Sequence, residues 1–155
     1  MLESYSAKLA TPFAVLGIRT SREWLTDIVY LPPKVATLDP LDRLAEQTCR
    51  QVLRYLDDPD YRFDLPFEYN GTPFQCKVWK QIYAIPASKT LTYNEIAKRL
   101  GTAPRPVGGA CGANRIPLVI PCHRVLGSNG IGGFMNSRSG APLEIKRWLL
   151  GHEGL

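Results

Sequence analysis

No apolar run in this 155-residue chain approaches the ~20 residues a membrane helix needs; stretches such as residues 13–18 fall far short. The N-terminus has no basic segment followed by an apolar core, so no secretory signal is expected. Cys49, Cys76, Cys111 and Cys122 form no Cys-x-x-Cys pair, and there are only two histidines. Neither a disulfide scaffold nor a structural zinc site is expected, and the expected compartment is the reducing cytoplasm. Internal repeats and low-complexity tracts are absent. What is present is an ordinary globular composition, 45% hydrophobic and 21% charged, enough for one domain or two very small ones.

Acid is scarce in one half. Residues 1–65 carry 8 Lys/Arg and 10 Asp/Glu, whereas residues 66–155 carry 11 Lys/Arg and only 4 acids. Between residues 71 and 139 Glu95 is the only acid, against nine basic residues. A polyanionic partner accounts for such an imbalance; so does a solvated basic surface.

The first part reads as mixed α/β. Strands are expected at residues 13–18 and Trp24–Leu31, stopped by Pro32-Pro33. Asp39 followed by Pro40 is the expected helix start, with Leu41, Leu44, Ala45, Thr48, Val52, Leu53 and Leu56 on one buried face. Residues 61–70 are expected to form a strand and then a linker. In the second part Thr72-Pro73 opens a helix whose buried face is Phe74, Val78, Trp79 and Ile82. Thr92-Tyr-Asn-Glu95 is a capping box for a short helix closing at Gly101, and a further helix runs from Thr102 or Pro104 to Asn114. Two short helices around a glycine turn, inside the basic stretch, suggest a helix-turn-helix. The second holds three glycines, each costing roughly 1 kcal/mol in a helix interior. Such smoothness admits a close neighbour, either another helix or a nucleic-acid backbone, and Arg105 stands out beside it.

Residues 116–121 form an apolar, strand-like run that delivers Cys122 and His123 into a turn. The thiolate is the nucleophilic form of cysteine, and a nearby imidazole can take the thiol proton. Adjacent side chains on an extended strand face opposite ways, so the pair cooperates only through a bent backbone or a bridging water. A buried structural thiol is the alternative for Cys122, and the expected role of Cys49 and Cys76.

Ile120-Pro-Cys-His-Arg-Val125 resembles the active-site signature of the O6-alkylguanine-DNA alkyltransferases, the methylated-DNA–protein-cysteine methyltransferases. Arg105-Pro-Val-Gly-Gly-Ala110 is similar to that family's recognition helix, Asn114 to its asparagine hinge, and the segment from Lys146 to Gly154 to its closing helix. The resemblance covers residues 66–155 strongly, and residues 1–65 in position and α/β character alone.

The resemblance implies a ribonuclease-H-like α/β domain over 1–68 and a winged helix-turn-helix domain over 69–155 that binds DNA and carries the chemistry. Cys122 would take the alkyl group from O6-alkylguanine in duplex DNA irreversibly, once per molecule, with O4-alkylthymine a second candidate substrate. His123 would be the general base through a water, Glu153 its orienting carboxylate, and Asn114 the support of the turn. Tyr93 would push the target phosphate and donate a proton to the leaving guanine. Arg105 would replace the flipped base while Gly108, Gly109 and Ala110 approach the minor groove; Asn94, Thr102 and Ser128 would contact the DNA backbone. Cys111, Val125, Gly133 and Phe134 would wall the alkyl pocket. No cofactor, metal or membrane is implied, and the expected state is a monomer in solution, with cooperative assembly on DNA an open property. Pro106 stands where the family commonly has alanine, and the 127–142 loop is longer than usual. A helix-turn-helix regulator, a lesion sensor without transfer, or a cysteine hydrolase pairing Cys122 with His152 are the competing readings.

Overall fold

A computed structural model describes residues 4–135 and 140–155. Residues 136–139, within the 127–142 loop, lie outside the described residues. The chain divides into two compact α/β and mainly helical units, with the boundary between Glu68 and Tyr69.

The first unit is an antiparallel sheet and one helix. Strands β1 (Ala7–Ala10), β2 (Val15–Ser21) and β3 (Trp24–Leu31) pair in chain order, with Ala7 opposite Ile18 and Val15 opposite Leu31. A register shift between Arg19 and Thr20 marks a bulge. Ala7, Leu16, Ile18, Leu25 and Ile28 form the core on the face covered by α1 (Arg43–Asp57), which contributes Leu44, Ala45, Val52 and Tyr55.

The start of α1 differs from expectation. Asp42, three residues beyond Asp39, is the N-cap, its Oδ1 accepting from the Ala45 N–H at 2.8 Å. The preceding segment is held extended along β1, through the Lys8–Leu38 bridge and the Leu41 N–H bond to the Ser6 carbonyl. Asp42 also accepts from the Thr20 hydroxyl at 2.7 Å, which fixes the helix start against the sheet. Leu41 therefore lies outside the helix, 70% exposed; Leu53 is likewise exposed, and Gln51 and Tyr55 occupy the buried face instead. No strand forms at 61–70. That backbone is satisfied by Gln51, which accepts from the Asp64 N–H and donates to the Asp64 carbonyl, and by the Leu25 N–H to the Pro66 carbonyl.

In the second unit, α2 (Pro73–Tyr83) starts at a capping box in which Thr72 accepts from the Gln75 N–H and Gln75 from the Thr72 N–H. Thr92 and Glu95 form the same reciprocal pair at α3 (Tyr93–Leu100), which ends at Gly101 with φ 68°. Helix α4 (Pro104–Gly112) begins with Pro104 and Pro106 inside its first turn, where no intrahelical N–H bond is lost. Val78, Trp79, Ile82, Ile96, Ala97 and Val107 are the core between α2, α3 and α4. Trp79 adds a polar tie, its indole N–H donating to the Ala110 carbonyl at 2.8 Å. Helix α5 (Ala141–His152) closes the unit.

A two-residue parallel pair has large consequences. Strand β4 (Leu91–Thr92) runs directly into α3, and β5 (Val125–Leu126) leaves the Cys122 turn; Leu91 lies opposite Val125 and Thr92 opposite Leu126. The start of α3, and Tyr93 with it, is thereby stitched beside that turn.

Trp79→Phe keeps an aromatic ring but leaves the buried Ala110 carbonyl only the Ala113 N–H at 3.2 Å. We expect a loss of about 0.5–1.5 kcal/mol in unfolding free energy, read by chemical denaturation.

Candidate active site

The expected strand-like run at 116–121 is a turn. Pro117 and Pro121 have no N–H to give to a ladder, and Leu118 takes φ 78°. The Ile120 N–H folds back onto the Ile116 carbonyl at 2.9 Å. Asn114 closes the loop from inside: Oδ1 accepts from the Ile116 N–H at 2.9 Å, and Nδ2 donates to the Ile120 carbonyl at 2.9 Å and to Cys122 Sγ at 3.0 Å. Cys122 opens a single 3₁₀ turn, Cys122–Arg124, 5% exposed. Its Sγ also lies 3.6 Å from the Cys111 carbonyl.

Behind the sulfur the buried carboxylate of Glu153 is shared by two neighbours. Oε2 is 2.8 Å from His123 Nε2 and accepts from Arg124 Nη2 at 3.0 Å, while Oε1 accepts from Arg124 Nε at 2.8 Å. Arg124 Nη1 donates to the Ile85 carbonyl at 2.7 Å, and the Ser88 hydroxyl to the Glu153 carbonyl at 2.8 Å. Burial pulls the His123 pKa below its ordinary value, although Glu153 opposes this. The ring is thus neutral at neutral pH. A carboxylate only accepts, so the proton sits on Nε2 and Nδ1 keeps its lone pair. Nδ1 is buried with no protein hydrogen-bond partner among the described residues.

A second buried charge lies beside the turn. Lys146, fully buried on α5, donates from Nζ to the Val125 carbonyl at 2.7 Å and the Gly133 carbonyl at 2.8 Å. Its nitrogen sits 5.8 Å from the Tyr93 ring centroid and 5.9 Å from that of Phe134. Burial lowers its pKa to about 8, with the Cys111 and Cys122 thiols acting the other way. The Tyr93 hydroxyl also donates to the Gly133 carbonyl, at 3.1 Å. Gly132, at φ 76°, lets that loop close: an added Cβ would stand 2.9 Å from the Tyr93 ring and 2.9 Å from the Gly127 nitrogen.

These elements enclose a cleft of about 610 Å³. Tyr93, Asn94, Arg105, Gly108, Gly109, Cys111, Asn114, Cys122, Ser128, Gly133 and Phe134 all line it. Arg105 and Ser128 are exposed at its surface, and Gly109 has no neighbour within 4 Å of an added Cβ. His123 and Glu153 stand behind the lining, connected to it through the Cys122 turn. Three expected residues fall elsewhere. Ala110 is buried against α2 because its carbonyl takes the Trp79 indole, Val125 is buried where β5 pairs with β4, and half-buried Thr102 caps α3 through its N–H to Ala97.

Arg124 and Lys146 pack beside the Cys122 turn, and sequence reasoning left them without a role. Lys146 could have been found, since it lies three residues from both Leu143 and Leu149, on the buried stripe of α5. Among the described residues no group of three or more His, Cys, Asp or Glu side chains could hold a metal ion. No helix there is long and apolar enough to cross a membrane.

Glu153→Gln leaves Arg124 as an uncompensated buried cation, and we expect it to lower the unfolding free energy by about 3–5 kcal/mol in denaturant titrations. The depressed Lys146 pKa has its own signature. Between about 8 and the ordinary lysine value of 10.5 the unfolded chain binds the proton and the folded chain does not, so stability rises with pH there. Lys146→Met should flatten that rise when unfolding is measured across the same window.

Comparison with known proteins accords with this geometry. Residues 73–155 match the sequence pattern described as the 6-O-methylguanine DNA methyltransferase, DNA binding domain. The probable methylated-DNA–protein-cysteine methyltransferase of Acanthamoeba polyphaga mimivirus is 50% identical over 96 residues, 61% of this chain and 61% of that protein. The match thus spans about three-fifths of the viral relative's length. The crystal structure of Mycobacterium tuberculosis O6-methylguanine methyltransferase superimposes with a TM-score of 0.81 at 30% identity, covering 97% of this chain and 93% of that one. That of M. tuberculosis OGT in complex with DNA gives 0.79 at 32% identity, covering 94% and 90%. The chain belongs to the 6-O-methylguanine DNA methyltransferase family.

Proposed function

We propose that this protein repairs DNA by moving the alkyl group of O6-alkylguanine onto its own Cys122, once per molecule. The observation that carries the reading is the placement of Cys122 Sγ in a cleft walled by the small-residue face of α4, with a neutral, Glu153-anchored His123 immediately behind it. The His123 Nδ1 lone pair takes the thiol proton through a water, the new S–C bond forms as the O6–C bond breaks, and the leaving guanine takes up a proton. Asn114 holds the turn and hydrogen-bonds the sulfur. Tyr93, whose hydroxyl holds the Gly133 carbonyl, would release that bond to protonate guanine.

The target carbon lies inside the duplex, so the base is flipped at a cost of a few kcal/mol, least for a damaged base. Arg105, exposed on α4, fills the vacated space, and Gly108 and Gly109 let the helix lie close in the minor groove. Asn94 and Ser128 at the cleft edge contact the phosphates, and α3 and α4 act as a winged helix-turn-helix. The sheet-and-helix unit is read as ribonuclease-H-like. O4-alkylthymine is a second substrate candidate, the protein is a monomer in solution, and four free thiols fit the reducing cytoplasm.

Mixed with a duplex holding one O6-methylguanine, the protein should gain about 14 Da on Cys122, in proportion to the lesion and without turnover; Cys122→Ala should gain nothing. Tight lesion binding with unchanged mass would instead establish a sensor, and turnover with a small-molecule ester would establish a hydrolase.

A further inference from the structure

The acceptor sulfur has a second thiol for a neighbour. Cys111 lies in the last turn of α4 and lines the same cleft as Cys122. Its carbonyl is 3.6 Å from Cys122 Sγ. The neighbouring Cys122 side chain, together with burial, holds the Cys111 thiol well above the usual thiol range. The other two cysteines lack such company: neither lines the cleft, burial pushes the Cys49 thiol up to about 11, and the Cys76 thiol is spent on the Tyr69 carbonyl at 3.5 Å.

We propose that Cys111 and Cys122 are a dithiol modification site, in which a hydroperoxide converts the pair to a reversible disulfide with Cys111 as the resolving thiol. The Cys122 sulfur attacks one peroxide oxygen and the O–O bond breaks, leaving Cys122 as sulfenic acid and releasing water from hydrogen peroxide. Cys111 sulfur then attacks Cys122 sulfur; the S–O bond breaks, and the Cys111 proton leaves with the hydroxide as a second water. Two thiols are oxidised by two electrons, and one peroxide is reduced to two waters. The cleft, about 610 Å³, admits a molecule as small as a peroxide. Sulfinic acid lies one irreversible step beyond sulfenic acid, and a resolving thiol intercepts the chain before that step. Joining the sulfurs requires them to close to about 2.05 Å, and the movement falls at a helix end, where Gly112 terminates α4. The functional consequence, that an oxidised molecule holds its alkyl acceptor in a protected and recoverable form, rests on the transfer reading above.

The test uses the full chain, reduced and then freed of reductant, treated with hydrogen peroxide. Intact mass should fall by about 2 Da, a non-reducing peptide map should join the Cys111 and Cys122 peptides, and dithiothreitol should reverse both. Cys111→Ser should instead gain about 32 Da on Cys122, which dithiothreitol does not remove. A wild-type Cys122 that reaches sulfinic acid as fast as in C111S, or that pairs with Cys49, Cys76 or a second molecule, overturns the proposal. Methyl transfer from an O6-methylguanine duplex is read in parallel on the reduced protein. Its failure there overturns the proposed function and leaves the disulfide result standing. If both readings hold, transfer stops on oxidation and returns on reduction.

Discussion

The second unit is organised around one buried carboxylate. Glu153 ends α5, yet its oxygens reach back to the turn at 122–124, where Arg124 takes it in a two-pronged ion pair and His123 takes the remaining lone pair. Arg124 spends a further N–H on the Ile85 carbonyl, and Ser88 bonds the Glu153 carbonyl, so the segment after α2 is tied into the same knot. A buried ion pair contributes little net stability unless all its polar atoms are satisfied. Here the network also sets a chemical state, because burial keeps His123 neutral and Glu153 fixes which ring nitrogen carries the proton.

Around that knot, the cleft is shaped by three short-range devices. The β4–β5 pair sets the start of α3 beside the exit of the Cys122 turn. Lys146 and Tyr93 both bond the Gly133 carbonyl, which holds the loop carrying Phe134 over the cleft. A neutral Lys146 amine still has two N–H groups for two carbonyls, so its deprotonation removes charge from beside the thiols and leaves the clamp in place. Asn114 does the same for the turn itself, satisfying one N–H and one carbonyl that the prolines leave without ladder partners.

Local signals proved reliable where a few neighbouring residues settle the matter. The capping boxes at Thr72 and Thr92 and the αL glycine at 101 are such cases, since each is satisfied within one helical turn. Asp39 failed as a cap because pairing with β1 keeps residues 38–41 extended and Thr20 holds Asp42. The 116–121 run failed as a strand because an apolar pattern does not distinguish a strand from a buried turn once proline removes the N–H groups. In the site, Cys122, His123 and Asn114 were legible from a local motif. Lys146 and Arg124 stood in quoted motifs and went unread, because a cation in sequence looks solvated until its carbonyl or carboxylate partner is known.

By itself the sequence determined the starts of α2 and α3, the smooth face of α4, the motif that carries Cys122 and the excess of positive charge in that half of the chain. These depend on residue type and on spacing within one or two helical turns. Tertiary structure alone decided that Glu153 reaches a residue thirty positions away, that Lys146 is desolvated, that Val125 and Ala110 serve packing, and that two thiols separated by eleven residues share one cleft. Such facts depend on which distant groups exclude water from each other. Burial converts an ordinary lysine, histidine or cysteine into one with a particular charge and a particular partner.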